Sequence, residues 1–298
     1  MKRTLLIHPD MSDIEREHGF SNINGPSLIH VPDWVENPLG KFYLYFAHHR
    51  GSYIRLAYAD EIEGPYTVHR PGTLHRDNTV FKGCDHIASP DVHIDEDNQR
   101  IIMYFHGNYR GGQATCWATS ENGIDFTATE TLEKQQGPYF KVFWRNGLPY
   151  ATNHNMLNRG KTAEWTTVFE RRDAPLFPGE QGKGRDGTPR HTANHLIGDT
   201  LTVYYSFYGD TPERILKSTV ELTEDWNEWH ASPPMEVIAP KYDYEGVNIP
   251  IVPSTNGLDR EMVHQLRDPD IYCEGEDTWL LYSVAGEQGI GITKLPSE

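Results

Sequence analysis

The chain has 298 residues, with 43 acidic against 27 basic side chains and a net charge of −16. That excess excludes nucleic acid and anionic membrane surfaces as partners, since both demand a basic face. Aromatic residues make up 11%, and 26 glycines and 20 prolines are spread along the whole length, a composition of strands and turns rather than of a helical bundle.

The opening "MKRTLLIHPDMSDIERE" has a basic pair but too short an apolar run for a secretory leader. No stretch approaches the ~18 apolar residues of a membrane helix. A cytoplasmic protein is expected, or a periplasmic or secreted one if a leader has been removed. Cys84, Cys116 and Cys273 are odd in number and lack metal spacing, so free thiols are expected.

Taken in chain order, "TLLIHP" (4–9) is a first strand without an immediate partner. Five units then follow, each a short strand, a polar turn and an aromatic-rich strand. They are "GPSLIHVPDWVENPLGKFYLYFAHH", "SPDVHIDEDNQRIIMYFHG", "GPYFKVFWRNGLPYATN", "HTANHLIGDTLTVYYSFYG" and "DPDIYCEGEDTWLLYSVAG". Third strands are read at "YIRLAYAD", "ATCWATS", "WTTVFERR", "RILKSTV" and "GIGITKL". Fourth strands are read at "YTVHR", "FTATETL", "APLFP" and "WHASPPMEVI", and the last unit has none. A repeat of about 50 to 75 residues built of four strands is a propeller blade. The expectation is all-β: one five-bladed β-propeller domain over 1–298, its ring closed by the N-terminal strand. Helical spacing is seen only at "DMSDIEREHG" and "DREMVHQL". A β-sandwich or jelly roll is the alternative.

In a propeller the first strand of each blade lines the central channel, and its entry end opens on the ligand-binding face. Side chains at i and i+2 share one side of a strand. Asp268 and Asp270 flank Pro269, and Asp91 follows Pro90 at the matching place. Strand alternation thus brings Asp91, Asp268 and Asp270 toward one funnel. The plain alternative for each is a turn-forming or capping Asp.

These segments resemble the five-bladed propeller glycoside hydrolases of families 43, 32, 62, 68 and 117. The similar motifs are "SPDVHID", "RDPDIYCEGEDTWLLYS" and "ATSENGIDF". The resemblance implies three acidic residues: a base on a "DP" strand, a pKa-tuning Asp on an "APDV"-like strand, and a general-acid Glu near "EGP". Asp91 matches the tuning Asp. "NGPSLI" lacks the first acid, and "QQGPYF" has Gln136 in place of the third. Either the catalytic set has moved around the ring, with Arg267 and Asp268 as its "RDP" entry, or hydrolysis has been lost.

Histidine recurs at strand ends facing the expected mouth: His48, His49, His86, His106, His154 and His191. Imidazole is a fit acid or base near neutral pH. The expected catalytic set is Asp91, Asp268 as base, and His191 or else Glu287 as proton donor. His48, His49, His86, Gln136, Tyr139, Arg190, Arg267 and Asp270 are expected to contact the sugar, with Tyr208 and Arg185 in reserve. No cofactor is required, although His and Asp together would suit a divalent cation in the channel. The expected function is an exo-acting glycoside hydrolase on a plant or algal oligo- or polysaccharide. A polysaccharide lyase using His and Tyr, or a non-catalytic sugar-binding propeller, are the alternatives.

Overall fold

The computed structural model describes residues 1–109, 111–131, 137–178 and 188–297. Five four-stranded antiparallel sheets follow one another around a ring. Blade 1 is β2 (Asn24–His30), β3 (Phe42–Ala47), β4 (Arg55–Ala59) and β5 (Thr67–His69). Blade 2 is β6 (Ile87–Asp95), β7 (Arg100–Tyr109), β8 (Gly112–Ser120) and β9 (Thr127–Ala128). Blade 3 is β10 (Lys141–Arg145), β11 (Leu148–Asn153), β12 (Met156–Gly160) and β13 (Phe169–Arg171). Blade 4 is β14 (Pro189–Ile197), β15 (Thr200–Phe207), β16 (Ile215–Glu221) and β17 (Met235–Ile238). Blade 5 is β18 (Arg267–Glu274), β19 (Asp277–Ser283) and β20 (Ile290–Lys294), and β1 (Arg3–Ile7) pairs with β20 to complete it. The N-terminal strand closes the ring, as the missing last strand predicts.

Two local expectations fail. "WTTVFERR" is the outer strand of blade 3, and "APLFP" is no strand. The third strand is "MLNRG", where Asn158 is buried by donating to Ala151 O and Asn153 Oδ1. Its polar sequence gives no apolar alternation to read. "DREMVHQL" forms no helix, and "DMSDIEREHG" keeps only a three-residue 3₁₀ turn at Glu17–Gly19. Among the described residues no helix is long and apolar enough to cross a membrane.

The core lies in the seams between blades. Tyr43, Tyr45 and Leu56 of blade 1 pack on Ile101 and Met103 of blade 2. Tyr204 and Ile215 of blade 4 meet Leu280 and Tyr282 of blade 5. Leu28 and Leu44 meet Leu281, Ile290 and the N-terminal Leu6 and Ile7 across the closing seam. Apolar side chains on both faces explain why second strands such as β3 and β15 are almost wholly buried.

The first strands of blades 1, 2, 4 and 5 each carry a two-residue irregularity at the same level: 25–26, 89–90, 190–191 and 268–269. Gly25, Ser89 and Asp268 take φ of 60°, 51° and 46° there, and Tyr139, just before β10, takes 60°. A bulge re-aims the side chain it carries. Two residues further on, side chains bind the next blade instead. Ser27 Oγ accepts from Val92 N–H at 3.0 Å, Asp91 Oδ2 from Val142 N–H at 2.8 Å, and Asp270 Oδ2 from Leu28 N–H at 3.2 Å.

Candidate active site

The bulges separate what strand alternation would have kept together. Asp268 faces a cavity of about 460 Å³ at the mouth, whereas Asp91 and Asp270 lie at the channel floor and line none of it. There Lys141 Nζ lies 2.8 Å from Asp270 Oδ1 and 3.4 Å from Asp91 Oδ1. His93 Nε2 is 2.8 Å from Asp91 Oδ2. Burial alone would raise the Asp91 pKa, but His93 and Lys141 outweigh it and hold the carboxyl below its usual range. Burial keeps Asp270 above its usual range in spite of Lys141. At this floor the cation beside the two carboxylates is the Lys141 ammonium. Among the described residues no group of three or more His, Cys, Asp or Glu is arranged to hold a metal.

Two imidazole–carboxylate pairs line the mouth cavity. His49 Nδ1 lies 2.9 Å from Glu287 Oε1, and His191 Nδ1 lies 2.7 Å from Asp268 Oδ1. In both rings the Nδ1 contact leaves Nε2 as the nitrogen for other partners. Among the described residues the buried Asp268 Oδ1 has no polar partner besides this His191 contact. Asp268 Oδ2 accepts from Ser283 Oγ at 3.1 Å. Both carboxylates are only 3% exposed.

Burial by itself would raise both carboxyl pKa values and lower that of His49. For Asp268, His191, Arg190 and Arg267 outweigh burial and depress it far below the carboxylate range. For Glu287, His49 and Arg267 also outweigh burial and lower it. The Glu287 charge in turn outweighs burial at His49 and raises the imidazole above its ordinary value. The ionised form of Glu287, the second choice for proton donor in the sequence, is thus the favoured one.

The cationic support is buried behind this layer. Arg267 is fully buried and contacts Glu213, Asp259 and Gln265, with Glu287 Oε1 at 3.8 Å. It lines no part of the cavity, so it is a counter-charge and not a sugar contact. Arg190 reaches the cavity but is held bidentate by Glu213 at 2.7 and 2.9 Å, with Tyr208 stacked 4.1 Å from its guanidinium carbon. Asn22 ties the other side, donating to Glu287 Oε2 at 2.6 Å and accepting from His49 N–H at 2.8 Å.

Tyr139 lines the cavity and donates to Gln113 Oε1 at 3.0 Å. Its ring lies 4.2, 4.9 and 4.3 Å from the rings of His106, His154 and His191. His86 and His106 are buried below it, with their Nε2 atoms 3.2 Å apart. His48 is completely buried against Phe20 and lines no cavity; burial and Arg55 lower it to about 4, so it contacts no sugar. Gln136 and Arg185 lie outside the described residues. The sequence reading missed Lys141, Glu213, Asn22 and Gln113. Their roles depend on partners far away in the chain, and no motif marks them.

Comparison with known proteins first defines the class. No protein-family model matches the chain. Its architecture is that of the five-bladed family-43 glycoside hydrolases. A thermostable family-43 glycoside hydrolase superposes with a TM-score of 0.64 at 12% identity, covering 98% of this chain and 93% of that one. A GH43_1 enzyme from Xanthomonas citri, complexed with xylose, gives 0.63 at 12% identity, covering 98% and 91%. Sequence defines the nearer kinship. The uncharacterized protein R118 of Acanthamoeba polyphaga mimivirus is 34% identical over 305 residues, covering 92% of this chain and 84% of that protein. The chain belongs to the family of that protein.

Proposed function

We propose that the chain is a glycoside hydrolase acting at the end of a plant or algal oligo- or polysaccharide. The observation that carries this reading is the pair of imidazole–carboxylate contacts, His49–Glu287 and His191–Asp268, lining one cavity of about 460 Å³. That size is ordinary for a small-ligand site. Between the first strands there is a separate pocket of only about 10 Å³, lined by Gly25, Ser89, Lys141 and Asp268, too small for a sugar ring. The fold shared with family-43 enzymes raises the prior for glycosidic chemistry but assigns no residue.

His49, kept protonated by Glu287, donates the proton to the leaving oxygen. His191 takes the proton of the attacking water, and the ionised Asp268 behind it stabilises the imidazolium that forms. This replaces the expectation that His191 is the donor and Asp268 the direct base. Tyr139 and Tyr208 offer ring faces to the sugar, and Gln113 and Asn256 offer amides. Asp91 and Asp270 are reassigned to holding the channel floor and the blade seams.

One observation favours a lyase instead: the Tyr139 ring lies 4.3 Å from that of His191, a phenol and an imidazole side by side. A panel of oligosaccharides, followed for both new reducing ends and ultraviolet absorbance, separates the readings. Hydrolysis gives reducing ends without a chromophore. An unsaturated, absorbing product establishes the lyase. Binding without turnover leaves a sugar-binding propeller.

A further inference from the structure

Asn22 is completely buried where the chain entering blade 1 meets the β19–β20 turn of blade 5. Ile23 places it there, donating its N–H to Glu287 O at 2.7 Å. Asn22 Nδ2 then donates to Glu287 Oε2 at 2.6 Å and reaches Asp259 O at 3.4 Å. Its Oδ1 accepts from His49 N–H and from Asn24 Nδ2, both at 2.8 Å. An amide has two donors and two acceptor sites, and all four are used. Its orientation is fixed by its partners. A backbone N–H only donates and an ionised carboxylate only accepts, so the oxygen faces His49 and the nitrogen faces Glu287.

These contacts close a ring. It runs from His49 N–H through the Asn22 amide to Glu287 Oε2, and from Glu287 Oε1 back to His49 Nδ1 at 2.9 Å. One carboxylate is tied in this way to both the backbone and the side chain of the same histidine. Asp259 N–H adds a second donor to Oε2 at 3.2 Å. His49 and Glu287 line the mouth cavity, whereas Asn22 does not.

We propose that Asn22 is a positioning residue for the proton donor: it pins the Glu287 carboxylate and the His49 backbone to each other, so that His49 Nε2 stays aimed at the leaving oxygen. The inference rests on the hydrolase reading above. The Nδ1 hydrogen of His49 remains with Glu287 throughout. The Nε2 proton passes to the leaving oxygen as the glycosidic C–O bond breaks, and the neutral imidazole regains a proton from solvent. Asn22 exchanges no proton and touches no sugar, so its contribution is geometric. A misplacement of about 1 Å at a reacting group can cost about 10²-fold in rate.

A positioned donor matters only where the leaving group needs a proton. A sugar alkoxide needs one, whereas dinitrophenolate departs without it. The test compares wild type and Asn22→Leu on two glycosides of the sugar that wild type cleaves, one with a sugar leaving group and one with dinitrophenol. On the first, Asn22→Leu should lose about 10²-fold in kcat with KM little changed. On the second, the loss should be much smaller. Because Asn22 acts through Glu287, adding Asn22→Leu to Glu287→Gln should cost little beyond Glu287→Gln alone. Where Asn22→Leu does not fold, Asn22→Ser, which is too short to reach both partners, is read in the same way. An equal loss on both glycosides, no loss on either, or full additivity with Glu287→Gln overturns the proposal and leaves the hydrolase reading intact. A folded wild type that binds sugars but cleaves no glycoside removes the hydrolase reading, and this role with it.

Discussion

Lys141 and Asp270 meet across the channel floor at 2.8 Å, Nζ to Oδ1, and join blade 3 to blade 5 through the centre of the ring. Burial would lower the lysine pKa, but Asp270 and Asp91 outweigh it, so the ammonium is fixed in its charged form. Removing one member of a buried ion pair strands the others, at a cost of about 3–5 kcal/mol. Lys141→Met should therefore lower unfolding free energy by that order in urea titrations, and the added change Asp91→Asn should recover part of it. Additivity of the two losses would contradict the coupling. Because the channel's counter-cation is covalent, a chelator should leave the melting temperature of wild type unchanged.

Stability should fall on both sides of a maximum near pH 6.5–7. His48 and His154 titrate at about 4, lowered first by burial, and His86 and His106 are lowered as well. The unfolded chain binds protons on these groups from about pH 6.5 downward while the folded chain does not, so stability drops between pH 6.5 and 4. For the fully buried His48 that is up to about 3 kcal/mol. His49 has the opposite sign: its raised value adds stability that is complete below pH 6.5 and lost as pH climbs through the folded pKa. Denaturant midpoints at pH 5, 7 and 9 check this. Equal or greater stability at pH 5 than at 7 would contradict it.

The same imidazole should set the alkaline limb of turnover. His49 must be protonated to donate, and Glu287 is what keeps it so. In Glu287→Gln the burial at His49 loses its main opponent, and the alkaline limb of kcat/KM should move to lower pH. A limb that stays in place would show that another group is the donor.

Much of the fold was readable because each blade repeats an alternating strand, a polar turn and an aromatic strand, down to the N-terminal strand that closes the last sheet. Blade 3 was partly misread because buried Asn158 gives β12 no apolar pattern. The site was harder. Alternation across Pro269 put Asp268 and Asp270 on one side, but the bulge with φ of 46° at Asp268 sends one to the mouth and the other to the floor. A bulge changes the parity on which the reading relied. The His49–Glu287 contact spans 238 positions, and nothing local in the chain announces it.

In the proposed mechanism the chemistry uses the carboxylate at the mouth, Asp268, and not the one at the floor, Asp91. The most direct measurement is kcat/KM of Asp268→Asn and Asp91→Asn on the glycoside that wild type cleaves, with folding followed by circular dichroism. Asp268→Asn should stay folded and lose about 10²–10⁴-fold, the usual worth of acid–base assistance. Asp91→Asn should be less stable, because it loses its charge beside Lys141 and His93, yet turn over within about tenfold of wild type while folded. Near-normal turnover in Asp268→Asn, or abolished turnover in a folded Asp91→Asn, would contradict the account.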